Sequence, residues 1–540
     1  MRENVGPACS PDCRVCRARL RRTGAPAVDS DSVAATATLE VPATAPSVTP
    51  PDRLRRLATK GVVWSAVQTL GSRLLTVATF VILARLLDPR SFGLVAFASV
   101  AIAFLTIFVQ QGFGQALVQT PELEKRHLDT AFWVSMGFSL LLSGVVVGLS
   151  WPLARLFHLP EVAPVLQVLS LGFILSGLSS TQIAILQRRM EFRSLAIRLT
   201  LGNFVGALVG IVAALLGAGV WSLVAQTLCA AAVGVVVVWT ASGWRPGLSV
   251  TKATYTELFR FSRNVLGQNV AGFFLRRTDD FFIGAFLGPV LLGVYTVAFR
   301  LLIVMLDVSI GTVQAVTLPT FARLQHDIGR LRRAYFAATR VSAVVALPTF
   351  CFVLAAAPEV IHVFFGPHWN ASVPVMRVLA LMGVANTLTS FNGTVLTAVG
   401  RPDLTLRFVL IASVANVVGV AIAVHWGILA VAAALVARNV LVGSPMSIHY
   451  VKRTLGFGYA EYFRNYAAPA LASVVMVGVV LATHVGLADV GNLARLAVML
   501  AVGAAVYLAV IRLLDRRLLR ELTGYARGAV NRRPRVASAG

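Results

Sequence analysis

Acidic charge is scarce in this chain. Its 540 residues hold 23 Asp and Glu against 48 Lys and Arg, and charged residues of both signs make up only 13%. A soluble chain of this length carries about twice that fraction, so a water-soluble globular protein is excluded. Cysteine is equally sparse. Of five residues, Cys229 and Cys351 fall in apolar stretches and read as small hydrophobes. Cys9, Cys13 and Cys16 have a C-x3-C-x2-C spacing like the cluster-binding signature of radical enzymes. That motif needs a surrounding α/β barrel, which this chain does not encode, so neither a metal nor a cofactor is expected. A P-loop, H-E-x-x-H, G-x-S-x-G and the Rossmann glycine fingerprint are missing, as is a D-x-D pair in a loop. These absences remove ATP as a direct energy source and point to a carrier rather than an enzyme. After residue 60 no polar stretch is long enough for a separate globular domain.

What is present is apolar sequence: 57% hydrophobic residues and a mean hydropathy of +0.77. Runs of about 20 apolar residues recur from Gly61 to Leu513, more than a soluble core could hide. They are continuous rather than alternating, which argues against a transmembrane barrel. The expectation is an all-α integral membrane protein of about fourteen spans, placed at 61–86, 91–116, 129–151, 163–186, 197–217, 219–240, 261–286, 290–315, 337–357, 373–398, 406–424, 427–447, 466–484 and 492–513. Residues 1–52, rich in Ala, Pro, Ser, Thr and Arg, read as a disordered basic cytoplasmic tail with no apolar core of a signal peptide. Residues 514–540 read as a second basic tail, whose Arg512, Arg516, Arg517, Arg520 and Arg527 among leucines suit an amphipathic helix on anionic lipid. A similar surface helix is expected before the tenth span, with Val360, Ile361, Val363, Phe364 and Phe365 facing the outer side.

The net charge of +25 would suggest nucleic acid in a soluble protein. Here the cations sit in short turns, so they report topology and no nucleic-acid partner is expected. With the N-terminus inside, the inner turns hold Lys125, Arg126, Arg188, Arg189, Arg193, Arg198, Arg245, Lys252, Arg260, Arg263, Arg323, Arg330, Arg332, Arg333, Arg340, Arg401, Arg407, Lys452, Arg453 and Arg464, while the outer turns hold only Arg90, Arg155, Arg495 and Arg85. A bias of roughly twenty to four fits the positive-inside rule, and an even span count puts both termini in the cytoplasm.

A weak duplication runs through the chain. The segment from Ile82 to Gly93 lines up with Phe282 to Gly293, so that Leu87/Leu287, Pro89/Pro289, Gly93/Gly293 and Ala98/Ala298 coincide. Gly219-Val220-Trp221-Ser222-Leu223 and Gly427-Ile428-Leu429-Ala430-Val431 form a second echo in the same order. An even number of intervening spans gives the halves one orientation, the parallel-repeat arrangement of transporters, with substrate between the halves. The expected division is an N-terminal lobe over 53–245, a C-terminal lobe over 246–450 and two additional spans over 451–513.

Polar residues inside the spans mark candidate sites. Arg276, Arg277, Asp279 and Asp280 put four formal charges in the seventh span, at a depth where charges persist only if paired or facing a wet cavity. Spacings of four and three let Arg276 and Arg277 each meet Asp280. Asn269, Arg276 and Asp280 share one face, and the first span, its repeat partner, offers Gln68, Ser72 and Arg73. Asp307 and Gln314 lie in the eighth span, Gln110 and Gln111 in the second, and Asn386, Ser390 and Thr394 form a stripe on the tenth. Two uses are open for these groups: interhelical hydrogen bonds and ion pairs that hold the bundle, or a transport cavity.

Several segments resemble one family. Leu186-Gln187-Arg188-Arg189-Met190-Glu191-Phe192-Arg193, Thr130-Ala131-Phe132-Trp133, Gly219-Val220-Trp221-Ser222-Leu223-Val224, the run Arg277 to Gly284 with Leu287-Gly288 and Leu292-Gly293-Val294-Tyr295, and Gly400-Arg401-Pro402 are similar to oligosaccharide flippases. These form the polysaccharide transporter branch of the multidrug/oligosaccharidyl-lipid/polysaccharide exporter superfamily, and the resemblance spans roughly residues 55 to 515. It implies two helical lobes around a central cationic cavity and export of a polyprenyl-diphosphate-linked oligosaccharide across the inner (cytoplasmic) membrane. The implied partners are that lipid-linked substrate, membrane lipids, a polysaccharide polymerase and a chain-length regulator. Arg73, Arg276 and Arg277 would then contact the diphosphate, with Asn269 and Asn386 as further substrate-binding residues and Asp279, Asp280 and Asp307 as ion-coupling carboxylates. The rivals are a cation-coupled drug exporter or a peptidoglycan-precursor flippase of the same superfamily. Drug exporters usually place a carboxylate in the first lobe, whereas the first span here offers only Arg73. A membrane polymerase or glycosyltransferase would need a larger outer loop than Ala357–Ala371.

Overall fold

The computed structural model describes residues 71, 73–110, 113–119, 124–487 and 489–515; the two tails with their cysteines, Gln68, Ser72, Gln111 and the arginines from Arg516 onward lie outside them. The described residues are helices joined by short turns, without a strand among them. In order the long helices are α1 (73–86), α2 (Pro89–Gln110), α3 (Lys125–Leu156), α4 (Val162–Arg188), α5 (Phe192–Leu215), α6 (Val220–Ser242), α7 (Lys252–Phe282), α8 (Pro289–Gly311, prolonged by Thr312–Arg323), α9 (Ile328–Phe364), α10 (Ser372–Ala398), α11 (Pro402–Trp426), α12 (Ile428–Leu455), α13 (Tyr459–Gly486) and α14 (Asn492–Leu514). Twelve helices among the described residues are long and apolar enough to cross a membrane. The two expected spans outside that set are the first, described only from its later part, and the seventh. Helix α7 is 31 residues long, but its mean hydropathy is slightly negative because it carries the charged run and a polar first half. The chain is a multi-pass helical membrane protein.

The duplication has a physical counterpart. Helices α2 and α8 both open on a turn followed by proline at the first helical position, where the missing N–H costs nothing. Gly288 precedes Pro289 at φ 85°, a conformation open to glycine. The two helices then cross at their equivalent glycines. A Cβ on Gly93 would overlap the Pro289 carbonyl, and a Cβ on Gly293 would overlap the Pro89 carbonyl. This reciprocal contact joins equivalent positions of the two repeats at the end bearing these turns. Elsewhere, Gly202 and Gly206 of α5 face the Ala230 and Gln226 carbonyls of α6, where an added Cβ would lie 2.7 Å from either oxygen. Small residues let the two backbones touch, the usual packing device where the surrounding lipid is as apolar as the side chains.

The segment before α10 differs from the expected surface helix. Helix α9 continues through it, bent at Ala356 (φ −98°, ψ 19°) just before Pro358, so the chain turns back into the bundle. Val360, Ile361 and Phe365 are consequently core residues. Phe365 packs on Phe80, Phe92 packs on Trp369, and the fully buried Trp369 donates Nε1 to the Ala84 carbonyl at 2.7 Å. Arg85 donates to the carbonyls of Val363 and Phe364. A Trp369→Phe substitution leaves the Ala84 acceptor unpaired, and the expected loss is about 1–3 kcal/mol, measurable by thermal unfolding of the purified protein.

At the opposite end, basic residues tie the turns. Trp133 donates to the Gly247 carbonyl at 2.7 Å, and Gly247 N–H donates to Asp129 at 2.9 Å. Arg332 holds Glu461 and the Gly456 carbonyl, and Arg340 holds Asp515. Helices α13 and α14 pack on α9, where Tyr507 donates to the Val344 carbonyl at 2.8 Å.

Candidate functional site

The charged run of α7 is divided between two faces. Arg277 and Asp280 form an ion pair at 2.8 Å, and both carboxyl side chains, Asp279 and Asp280, are buried. Asp279 accepts a hydrogen bond from Tyr295 of α8, itself fully buried. Arg276 is exposed and makes no ion pair or hydrogen bond among the described residues, so the expected Arg276–Asp280 contact does not form. Positions three and four before Asp280 both lie on its face, and in the structure Arg277 takes the contact. Asn269, two turns earlier, is also exposed.

Helices α1 and α8 carry the next group. Arg73 donates to the Asp307 backbone carbonyl at 3.3 Å, joining the lobes. Arg300, in the middle of α8, sits with its guanidinium 5.9 Å from the centre of the Phe80 ring of α1, and its electrostatic neighbours are Arg277 and Asp307. Asp307 is exposed and starts a turn of π-helix, Asp307–Gly311.

A polar cavity of about 390 Å³ opens beside Asp307. Its walls come from α7, α8, α10, α11 and α12, and its polar lining includes Asp307, Gln314, Asn386, Ser390, Arg438 and Asn439. The amides are cross-linked: Asn439 donates to Asn386 Oδ1 at 2.7 Å, and Gln314 donates to the Ser390 carbonyl at 3.0 Å. Behind them Tyr335 donates to Asn392 at 2.6 Å, and Asn392 donates to Ser447 at 3.1 Å, fixing the inner wall.

A second pocket, about 550 Å³, lies between α2, α3 and α4 on one side and α7 and α11 on the other. Its wall is built largely of phenylalanine, including Phe97, Phe104, Phe157, Phe273 and Phe281, with Arg277 at its edge. The two spaces are chemically opposite: one offers amides and a cation, the other only hydrocarbon.

Of the residues singled out by sequence, Arg73, Asp307 and Asn386 converge on the polar cavity or its mouth. Arg277 and Asp280 pair with each other, Asp279 is held by Tyr295, and Arg276 and Asn269 are exposed. Sequence reasoning missed Arg438, Asn439 and Arg300. The signal for Arg438 was available: an arginine and an asparagine interrupt the run Ile428–Ala437 in mid-span, where an ionisable residue is costly.

A membrane-spanning bundle of two parallel-repeat lobes, with cations and amides lining a cavity among its helices, defines a secondary transporter. Comparison with known proteins specifies it further. Residues 82–374 match the polysaccharide biosynthesis protein family, and the chain belongs to it. It is 30% identical over 491 residues to the succinoglycan biosynthesis transport protein ExoT of Rhizobium meliloti (strain 1021), covering 90% of this chain and 98% of that one. It is 24% identical to the teichuronic acid biosynthesis protein TuaB of Bacillus subtilis (strain 168), covering 83% and 94%. Among solved structures, the lipid II flippase MurJ in an inward closed conformation superposes with a TM-score of 0.69 at 14% identity, covering 85% of this chain and all of that one, which shows a shared fold. The protein is a transporter and not an enzyme.

Proposed function

We propose that this protein is a flippase that carries a polyprenyl-diphosphate-linked oligosaccharide across the cytoplasmic membrane for cell-surface polysaccharide synthesis. The observation that carries the reading is the combination of family membership with intramembrane cations, Arg73, Arg276, Arg300 and Arg438, that lack a carboxylate within ion-pair distance among the described residues. A diphosphate cannot cross bare hydrocarbon, and guanidinium groups in a wet cavity replace its hydration with charge-assisted hydrogen bonds. Amides and hydroxyls of the polar cavity suit sugar hydroxyls, while the phenylalanine-lined pocket suits hydrocarbon.

In this reading the lobes are residues 53–245 and 246–450, both termini are cytoplasmic, and the Gly93–Gly293 crossing closes the outer end. Arg73, Arg276 and Arg277 serve the diphosphate, Asn269 and Asn386 the sugars, and Asp279, Asp280 and Asp307 the coupling ion. The paired position of Arg277 makes Arg276 and Arg73 the cations free to change partner. A polymerase and a chain-length regulator would act on the delivered unit at the outer face.

The test is a proteoliposome assay that follows a fluorescent polyprenyl-diphosphate oligosaccharide from one leaflet to the other. Two charge-assisted bonds of about 1.5 kcal/mol each amount to about 3 kcal/mol, so Arg73→Gln combined with Arg276→Gln should slow transfer by about a hundredfold at unchanged protein abundance. Transfer at the wild-type rate by this double variant would overturn the assignment of the two arginines. Absence of transfer by the wild-type protein would overturn the flippase reading.

A further inference from the structure

The arginine in the polar cavity has a setting unlike the others. Arg438 opens a π-helical turn, Arg438–Gly443, in the middle of α12, and the facing wall of the cavity begins with the π-helical turn of Asp307–Gly311 in α8. Such turns break the regular helix register and are frequent at functional sites. The Arg438 Nε is buried without a hydrogen-bond partner, and the guanidinium makes no ion pair among the described residues. Asp279 and Tyr295 are its electrostatic neighbours, and Asp279, which accepts the Tyr295 hydroxyl, lies beyond ion-pair distance of the guanidinium. On the same cavity, the Thr405 hydroxyl is also buried without a partner. Buried donors are normally satisfied, and leaving a charged one open in a membrane protein costs several kilocalories unless something else completes it.

We propose that this cavity takes a sugar unit bearing a carboxylate, a uronic-acid-type residue of the translocated glycan, with the carboxylate on Arg438. The inference rests on the flippase reading and specifies its substrate. Arg438 is the lone cation of the lining and Asp307 its lone carboxylate, whereas a diphosphate calls for more than one cation; Arg73 is held on the Asp307 backbone carbonyl and Arg300 on the Phe80 ring. A planar guanidinium matches a single carboxylate through two parallel N–H···O bonds. Around it, Asn386, Asn439, Gln314, Thr389 and Ser390 offer neutral donors and acceptors of the kind that read sugar hydroxyls. At about 390 Å³ the cavity is near the lower end of small-ligand sites, so it accommodates part of an oligosaccharide rather than the whole.

The experiment compares two probes on the full chain in lipid nanodiscs. They are polyprenyl-diphosphate-linked disaccharides whose terminal residue is glucuronic acid in one and glucose in the other, so they differ only by a carboxylate in place of a hydroxymethyl group. The wild-type protein should bind the uronate at least about tenfold more tightly, one charge-assisted contact's worth. Arg438→Gln should bring the two affinities together by weakening the uronate alone, and Arg438→Lys should keep part of the preference as a point charge. Gly393 lines the same cavity, and a Cβ there would meet nothing within 4 Å. Gly393→Leu, with its Cβ unobstructed, should project into the cavity and abolish the preference with Arg438 intact, thermal unfolding confirming that the variant is folded. Equal binding of both probes to the wild-type protein, equal weakening of both by Arg438→Gln, or a preference surviving Gly393→Leu would each overturn the inference and leave the flippase reading standing. Binding of neither probe to folded wild-type protein would overturn both.

Discussion

Gly93→Val should reduce export by about a hundredfold while the protein still inserts and accumulates. The position is where α2 and α8 touch backbone to backbone, and a side chain there would occupy the space of the Pro289 carbonyl. That carbonyl belongs to the first residue of α8, fixed by the proline ring and the turn at Gly288, so it has little freedom to yield. Overpacking at such a contact costs about 1–3 kcal/mol, and the upper value moves a two-state equilibrium by about two orders of magnitude. The cost falls on the state in which this end is closed, and alternating access needs that state in every cycle. Gly293→Val should behave in the same way, because its Cβ would meet the Pro89 carbonyl. Gly144→Val on α3 is the control: a Cβ at Gly144 meets nothing within 4 Å, and export should stay within about twofold of wild type. Transfer measured in proteoliposomes, with labelling of a cysteine placed at the buried Phe92, decides the matter. If Gly93→Val matches Gly144→Val in both readouts, the crossing is not a gate.

Glu359→Ala should be the most destabilising single change among the ion pairs. Glu359 is 1% exposed and receives both His484 at 2.6 Å and Arg495 at 3.5 Å, with the Arg495 side chain only 14% exposed. The three residues come from α9, α13 and α14, so they join the two additional spans to the second lobe. Removing the carboxylate takes away the buried acceptor that His484 and Arg495 share, a defect of about 3–5 kcal/mol. The contrast is Arg90→Ala. Arg90 and Glu161 are also 2.8 Å apart, but both side chains are about half exposed, and such pairs contribute about 0–1 kcal/mol. Unfolding of the two purified variants, by heat or denaturant, should separate them clearly. Equal losses would mean that α13 and α14 are held by packing alone.

The path of the helices could be read from the sequence because a bilayer leaves the chain few options. Each apolar run must hydrogen-bond its own backbone, and turns with glycine, proline and arginine mark where it stops. From the second span onward the expected spans accordingly fall on helices among the described residues, while most of the first lies outside them. The disagreements have local causes. The stretch Val360–Phe365 looked like a surface helix, yet the bend at Ala356 carries Val360, Ile361 and Phe365 inward, Phe365 against Phe80, and leaves Phe364 exposed. The charged run at Arg276–Asp280 was conspicuous, but spacing alone allowed either arginine to meet Asp280. The packing of α7 selected Arg277, and Tyr295, from another helix, claimed Asp279.

By itself, then, the sequence determined a polytopic helical bundle, its duplication and the presence of costly charges inside it, since all of these follow from hydropathy and spacing along one chain. Only the tertiary structure decided which charges are spent on each other and which remain available. Arg277, Asp280 and Glu359 are engaged, while Arg276 is exposed and Arg438 lines an amide-rich cavity. Pairing depends on which faces of separate helices are brought within a few ångströms. Tyr295 reaches Asp279 and Arg495 reaches Glu359 from other helices, and hydropathy and spacing along one chain do not specify which faces of separate helices meet.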